Sequence, residues 1–166
     1  ANHAEQIFNL PINRVYGPFE DNGYSYITRL LSRKPNSQVK ASHILLAYKG
    51  AMKASATRSK EEAKAKADEI FAQVSTNPDL FPVLASTNSD DSSSGNGGDL
   101  GYFGEGMMVK PFNDFVFSNP VGKIGIVETE FGYHIIKVTE KQDAVKLATI
   151  AIKVEASEST SDKIYN

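Results

Sequence analysis

The chain has 166 residues, 40% of them apolar, with a formal net charge of −2 and no cysteine. That length supports one core of roughly 100 to 150 residues plus flanks, and the interspersed charges exclude the strong basic field that would draw nucleic acid or an acidic membrane surface. A chain without cysteine has no disulfide, no thiol nucleophile and no thiolate metal site, and is compatible with an oxidising compartment.

The opening ANHAEQ lacks the charge and apolar core of a signal peptide, and no apolar run reaches bilayer-spanning length, so no direct membrane contact is expected of this segment. Residues 8–30, FNLPINRVYGPFEDNGYSYITRL, are a version of residues 117–138, FSNPVGKIGIVETEFGYHIIKV, with small gains and losses. Repeats at domain scale mark repeated structural units. The chain therefore reads as the end of one unit followed by a whole second one. Gly132-Tyr133-His134 in the second copy stands where the first has Gly23-Tyr24-Ser25, so only the second can use an imidazole there.

The polar stretch SRKPNS ends the first segment, its proline expected to stop regular structure. From Val39 to Ala47, small or apolar residues alternate with β-branched ones, a strand with Val39, Ala41, His43 and Leu45 on one face. A polar loop follows, and Ser59-Lys60-Glu61-Glu62 is an S-x-x-E capping box. It opens an amphipathic helix whose stripe is Ala63, Ala67, Ile70, Phe71 and Val74. Leu80 to Ser86 suits a short helix capped by Asp79. Ser89 to Gly101, SDDSSSGNGGDLG, reads as a loop rich in glycine. Pro111 opens a third helix carrying Phe112, Phe115 and Val116 inward. Two strands, Gly125 to Thr129 and Tyr133 to Thr139, form a hairpin across Glu130-Phe131-Gly132, with His134, Ile136 and Val138 on one face. A strand candidate, Val145 to Val154, leads into a polar tail rich in Ser and Thr.

This order predicts an α+β fold, a small antiparallel sheet covered by three to four helices. If its first and last strands lie side by side, His43 and His134 become neighbours. A neutral histidine pair can carry a hydrogen-bond chain whose tautomers are set by nearby groups such as Thr129, Ser42 or Asp91. Two histidines and a carboxylate are also the ligand inventory of an Fe(II) facial triad. GNGGDLG lacks the preceding strand and following Lys-Ser/Thr of a phosphate cradle.

Taken together, VKASHILL, SDDSSSGNGGDLGYF, GMMVKPF and ETEFGYHIIKV closely resemble the parvulin-type peptidyl-prolyl cis/trans isomerases over residues 38–141. The resemblance implies a parvulin (FKBP-like) fold, no cofactor and no metal. It implies catalytic roles for His43, Asp91, His134 and Thr129, with Asp91 at a loop position that holds Cys or Asp. It implies a proline pocket of Leu100, Met108 and Phe112, with Phe103 packing nearby and Phe131 at the rim. The loop 48–58 has only scattered Lys49, Lys53 and Arg58, so dependence on phosphate is not expected. The implied partners are proline-containing segments of unfolded client proteins, and no nucleic acid. A non-catalytic peptide-binding module of the same fold is the alternative.

The flanks are similar to the multi-domain periplasmic foldases of the SurA and PpiD kind in Gram-negative bacteria. On that resemblance residues 1–37 are the C-terminal fragment of a preceding parvulin-like unit plus a hinge, 38–141 the parvulin domain, and 142–166 a strand and polar tail leading to a further segment. The first hairpin is expected to pair with Val145 to Val154 or to stay mobile.

Overall fold

A computed structural model of the protein describes residues 3–153. They form two compact units, one of residues 36–142 and one of 1–35 with 143–166, the second described here only within those limits. Strands β2 (Tyr24–Leu46) and β5 (Gly132–Lys153) each pass from one unit to the other.

In the larger unit the sheet runs β3 (Asp99–Gly104), β2, β5, β4 (Ile124–Thr129). Successive strand residues point to opposite faces, and both faces are covered. On one face Ile44, Leu46, Tyr133 and Ile135 pack on α2 (Lys60–Thr76) and α3 (Phe81–Asn88), through Ala63, Ala67, Ile70, Val74, Phe81 and Ala85. On the other, Val39, Ala41, Ile136 and Val138 meet Phe103 and the Phe112 and Val116 side chains of α4 (Lys110–Ser118). The apolar alternation expected along both strands is therefore present, and it places His43 and His134 on the α4 side. The capping box forms as expected: Ser59 Oγ accepts from Glu62 N–H at 3.0 Å, and Glu62 Oε1 accepts from Ser59 N–H at 2.7 Å. The β4–β5 hairpin pairs Thr129 with Gly132 across Glu130-Phe131.

In the smaller unit, α1 (His3–Phe8) precedes β1 (Val15–Asp21), which pairs antiparallel with β2 through an Asn22-Gly23 turn. Both turn residues have positive φ, 51° and 83°, the backbone that favours Asn-Gly in a tight hairpin. Helix, strand, two-residue turn and strand thus follow in the same order here as in α4, β4 and β5. The expected pairing with the chain's last strand occurs: β2 lies beside β5, with the Thr28 and Thr149 hydroxyls 2.5 Å apart, and just outside the expected segments Arg33 pairs with Asp143 at 2.9 Å. Val154 and the polar tail lie outside the described residues.

Four local expectations are corrected. Pro35 does not stop the chain's regular structure; β2 runs through it. Proline's fixed φ suits extended backbone, and the irregularity falls instead on Asn36, at φ 51°. Asp79 is not a cap: Asn77 caps a 3-10 turn, Pro78–Leu80, by accepting from Asp79 N–H, and α3 starts from Leu80 without a side-chain cap. The glycine-rich loop is shorter than expected, because Ser92–Asn96 is a 3-10 turn and Asp99 already begins β3. Tyr133–Thr139 and Val145–Lys153 are one strand, because the polar residues between them keep extended backbone.

Candidate functional site

Adjacent strands bring the two histidines together. His43 Nδ1 lies 2.9 Å from His134 Nδ1, with the rings nearly parallel and their centroids 5.1 Å apart. Phe112 stands edge-on to both rings, at 5.6 Å from each. Both histidines are buried. Thr129, at the end of β4, holds His134 Nε2 at 2.7 Å, and its Oγ1 accepts the Phe131 N–H at 3.1 Å.

Asp91 Oδ2 lies 3.1 Å from His43 Nε2, but off the line of a ring N–H, so the contact is between charge and ring rather than an aligned hydrogen bond. The segment that carries Asp91 is fastened to β2. Asp90 N–H donates to Leu45 O at 2.8 Å, Leu45 N–H donates to Ser89 Oγ at 3.0 Å, and Ala47 N–H donates to Asp90 Oδ2 at 3.0 Å. The His43 imidazole, then the Ser93 hydroxyl and amide, hold the Asp91 carboxyl well below its ordinary range despite partial burial. Burial first, and His43 second, push the His134 imidazole down to about 3. Asp91 is therefore an anion and His134 neutral at ordinary pH.

One polarity of the hydrogen-bond chain points a donor at the Asp91 carboxylate. With the Thr129 hydroxyl donating to His134 Nε2, His134 Nδ1–H donates to His43 Nδ1, and His43 carries its proton on Nε2, facing the Asp91 anion. The reverse polarity would turn a ring lone pair toward a carboxylate. The site thus presents a hydrogen-bonded chain, Thr129–His134–His43, ending at an anion. Among the described residues no three carboxylate, imidazole or thiolate groups converge as metal ligands would.

The chain opens into a cleft of about 730 Å³. Of the residues singled out from the sequence, His43, Asp91, His134, Leu100, Met108, Phe112 and Phe131 line it. Thr129 sits behind His134. Phe103, expected to pack near the pocket, is 3% exposed and lies against Phe112 at 6.1 Å between ring centroids. The lining also includes residues 52–58, Asp90 and Met107, which the sequence motifs did not mark as site residues. Arg58 Nη1 is held by Asp90 Oδ2 at 2.5 Å and Ala47 O at 2.9 Å. That occupies the guanidinium with structure. The Asp90-Asp91 doublet was a visible signal, but nothing in a sequence says which of two neighbouring carboxylates faces an imidazole.

Residues 24–142 match the PPIC-type PPIASE domain, and the chain belongs to this family of peptidyl-prolyl isomerase domains. Foldase protein PrsA of Geobacillus kaustophilus (strain HTA426) is 41% identical over 96 residues, covering 57% of this chain and 34% of PrsA. Chaperone SurA of Alcanivorax borkumensis (strain ATCC 700651 / DSM 11573 / NCIMB 13689 / SK2) is 30% identical over 148 residues, covering 85% of this chain and 33% of SurA. Among solved structures, peptidyl-prolyl isomerase ESS1 from Candida albicans aligns with a TM-score of 0.60 and 31% identity over 63% of each chain. The α+β parvulin fold is shared with it. The chain spans about a third of the length of the foldase and the chaperone.

Proposed function

We propose that this chain catalyses cis/trans isomerisation of X-Pro bonds in unfolded or partly folded polypeptides, without forming a covalent intermediate. Rotation about an X-Pro bond must overcome the loss of amide resonance, a barrier of about 18–20 kcal/mol, and takes roughly tens to hundreds of seconds unaided. No bond has to break, so a catalyst needs only to grip the pyrrolidine ring, exclude the water that favours the planar amide, and stabilise the rotated one. Leu100, Met108 and Phe112 form the grip, and Phe131 narrows its rim. His43, oriented through His134 and Thr129 and polarised by the Asp91 anion, faces the twisting amide. With a carboxylate in place of a thiol, Asp91 acts through its field and its hydrogen bonds. The observation that carries this reading is the cleft in which the apolar side chains Leu100, Met108 and Phe112 stand beside the buried imidazole pair and its carboxylate.

The relatives named foldase and chaperone support unfolded clients, and a location outside the cytoplasm in the cell envelope. The match to the chaperone over 85% of this chain, wider than residues 38–141, supports the tandem arrangement of a periplasmic foldase. In it, residues 1–37 derive from a preceding unit, and the outer part of β5 packs with them in this chain. Ser25 in place of the second imidazole makes that preceding unit a binding module rather than a catalyst.

The test is a protease-coupled isomerisation assay on an Ala-Xaa-Pro peptide, comparing the wild type with His43→Ala, Asp91→Asn and Met108→Ala. We expect each variant to lose about 10-fold or more in kcat/KM, with Met108→Ala acting mainly on KM. Equal slow rates in all four proteins would identify a binding module instead, and an undiminished rate for Asp91→Asn would remove the carboxylate's role.

A further inference from the structure

Every sulfur atom of this chain borders one cleft. The chain has three methionines and no cysteine, and Met52, Met107 and Met108 all line the cavity that holds the histidine pair. They arrive from separate places, Met52 on the loop after β2 and the other two on the turn before α4. The fully buried core holds no methionine; it is built from Leu, Ile, Val, Ala, Phe and Tyr. Methionine is thus absent where it would be inert and gathered where an incoming peptide meets solvent.

The three sulfurs differ in access. Met107 is 73% exposed and Met52 48% exposed, whereas Met108 packs on the cluster of Phe103 and Phe112. Met107 Sδ accepts the Gly104 N–H at 3.5 Å, which holds the sulfur in its turn and leaves a lone pair open to attack. Exposed thioethers are oxidised readily, and oxidation makes a flexible apolar side chain polar. A thioether rim suits varied apolar side chains because it is unbranched and polarizable; a sulfoxide rim keeps its water.

We propose that Met107 and Met52 form an oxidative modification site that controls how well the cleft captures its substrate. A hydroperoxide is the oxidant. The sulfur lone pair attacks the outer peroxide oxygen, the O–O bond breaks, and the sulfur gains an S=O bond. With hydrogen peroxide one water leaves, the sulfur being oxidised by two electrons and the peroxide reduced by two. The imidazole pair and Asp91 contain no sulfur, so the turnover of bound substrate persists while capture of apolar segments around the proline weakens. This inference rests on the isomerase reading above.

The experiment treats the protein with graded hydrogen peroxide, maps sulfoxide by peptide mass spectrometry, and measures kcat and KM on a Leu-Pro peptide. Met107 and Met52 are expected to oxidise before Met108. KM should then rise about 3- to 10-fold with kcat within about twofold, and methionine sulfoxide reductases should restore the original KM. A Met52→Leu/Met107→Leu protein, whatever its own starting KM, should not respond to the same dose. A KM unmoved by rim sulfoxide, oxidation of Met108 ahead of both, or an equal response in the double leucine protein would each overturn the proposal. If the untreated protein shows no isomerisation, the isomerase reading fails by itself. Fluorescence anisotropy of the same peptide then decides the rim separately: weaker binding after oxidation supports its role and unchanged binding ends it.

Discussion

His134 stays neutral because its ring is enclosed by β2, β4 and Phe112, and neutrality lets a second imidazole approach to 2.9 Å. That arrangement has a cost in acid. The unfolded chain protonates this histidine below its ordinary value near 6.5, while the folded protein resists down to about 3. Between those values the unfolded state holds more protons, so stability is full above pH 6.5 and falls as pH drops toward 3, with a slope of up to about 1.4 kcal/mol per pH unit from this group. Asp91, whose folded value is lowered, adds loss of the same sign only at more acid pH. Chemical denaturation of wild type and His134→Gln between pH 7 and pH 4 should show a shallower decline in the variant; parallel curves would mean the buried imidazole is not the group responsible. At this scale the sequence was informative about which face each strand residue takes, because period-two alternation is short-range. It could not show that Asp90 holds Arg58, since that depends on how distant segments close on one another.

Elements hold the site through backbone contacts that leave no room for a side chain. Gly98 has φ 82°, and a Cβ there would fall 2.4 Å from the His43 carbonyl oxygen. Its own carbonyl accepts the His43 N–H at 2.9 Å. The glycine thus joins the start of β3 to β2 at the residue that carries the imidazole. Gly98→Ala combines a left-handed backbone with a backbone clash, so we expect a loss of stability of more than about 1 kcal/mol, seen as a lower denaturation midpoint, with isomerase activity falling alongside it. A variant as stable and active as wild type would show that this approach does not position His43. The capping box and amphipathic stripe of α2 were readable because they are local patterns of side chains. Strand β3 was not, because glycines at 97, 98 and 101 resemble a loop until β2 supplies hydrogen-bond partners.

Across the whole molecule, the two units differ in how much they bury. The 36–142 unit has two clusters of buried residues, one against each face of its sheet. In the other unit only Thr28 and Leu30 are buried among the described residues, α1 has no buried residue, and Ile12, Val15, Ile27, Leu147, Ile150 and Ile152 are all exposed. The internal repeat was legible as sequence similarity, yet the extent of β2 and β5 was not, since polar residues around Pro35 and Gln142 look like boundaries when strand pairing cannot be seen. Burial of apolar side chains, more than strand length, sets the free energy of local opening. Amides of residues 24–35 and 145–153 should therefore exchange through an opening of lower free energy than those of 39–46 and 133–138, although the same two strands carry both sets. Native-state hydrogen exchange with increasing denaturant measures this directly. We expect two isotherms, with the outer segments of β2 and β5 reaching the exchange-competent state first; a single isotherm shared by both sets would show that the thinly buried unit opens only when the whole molecule does.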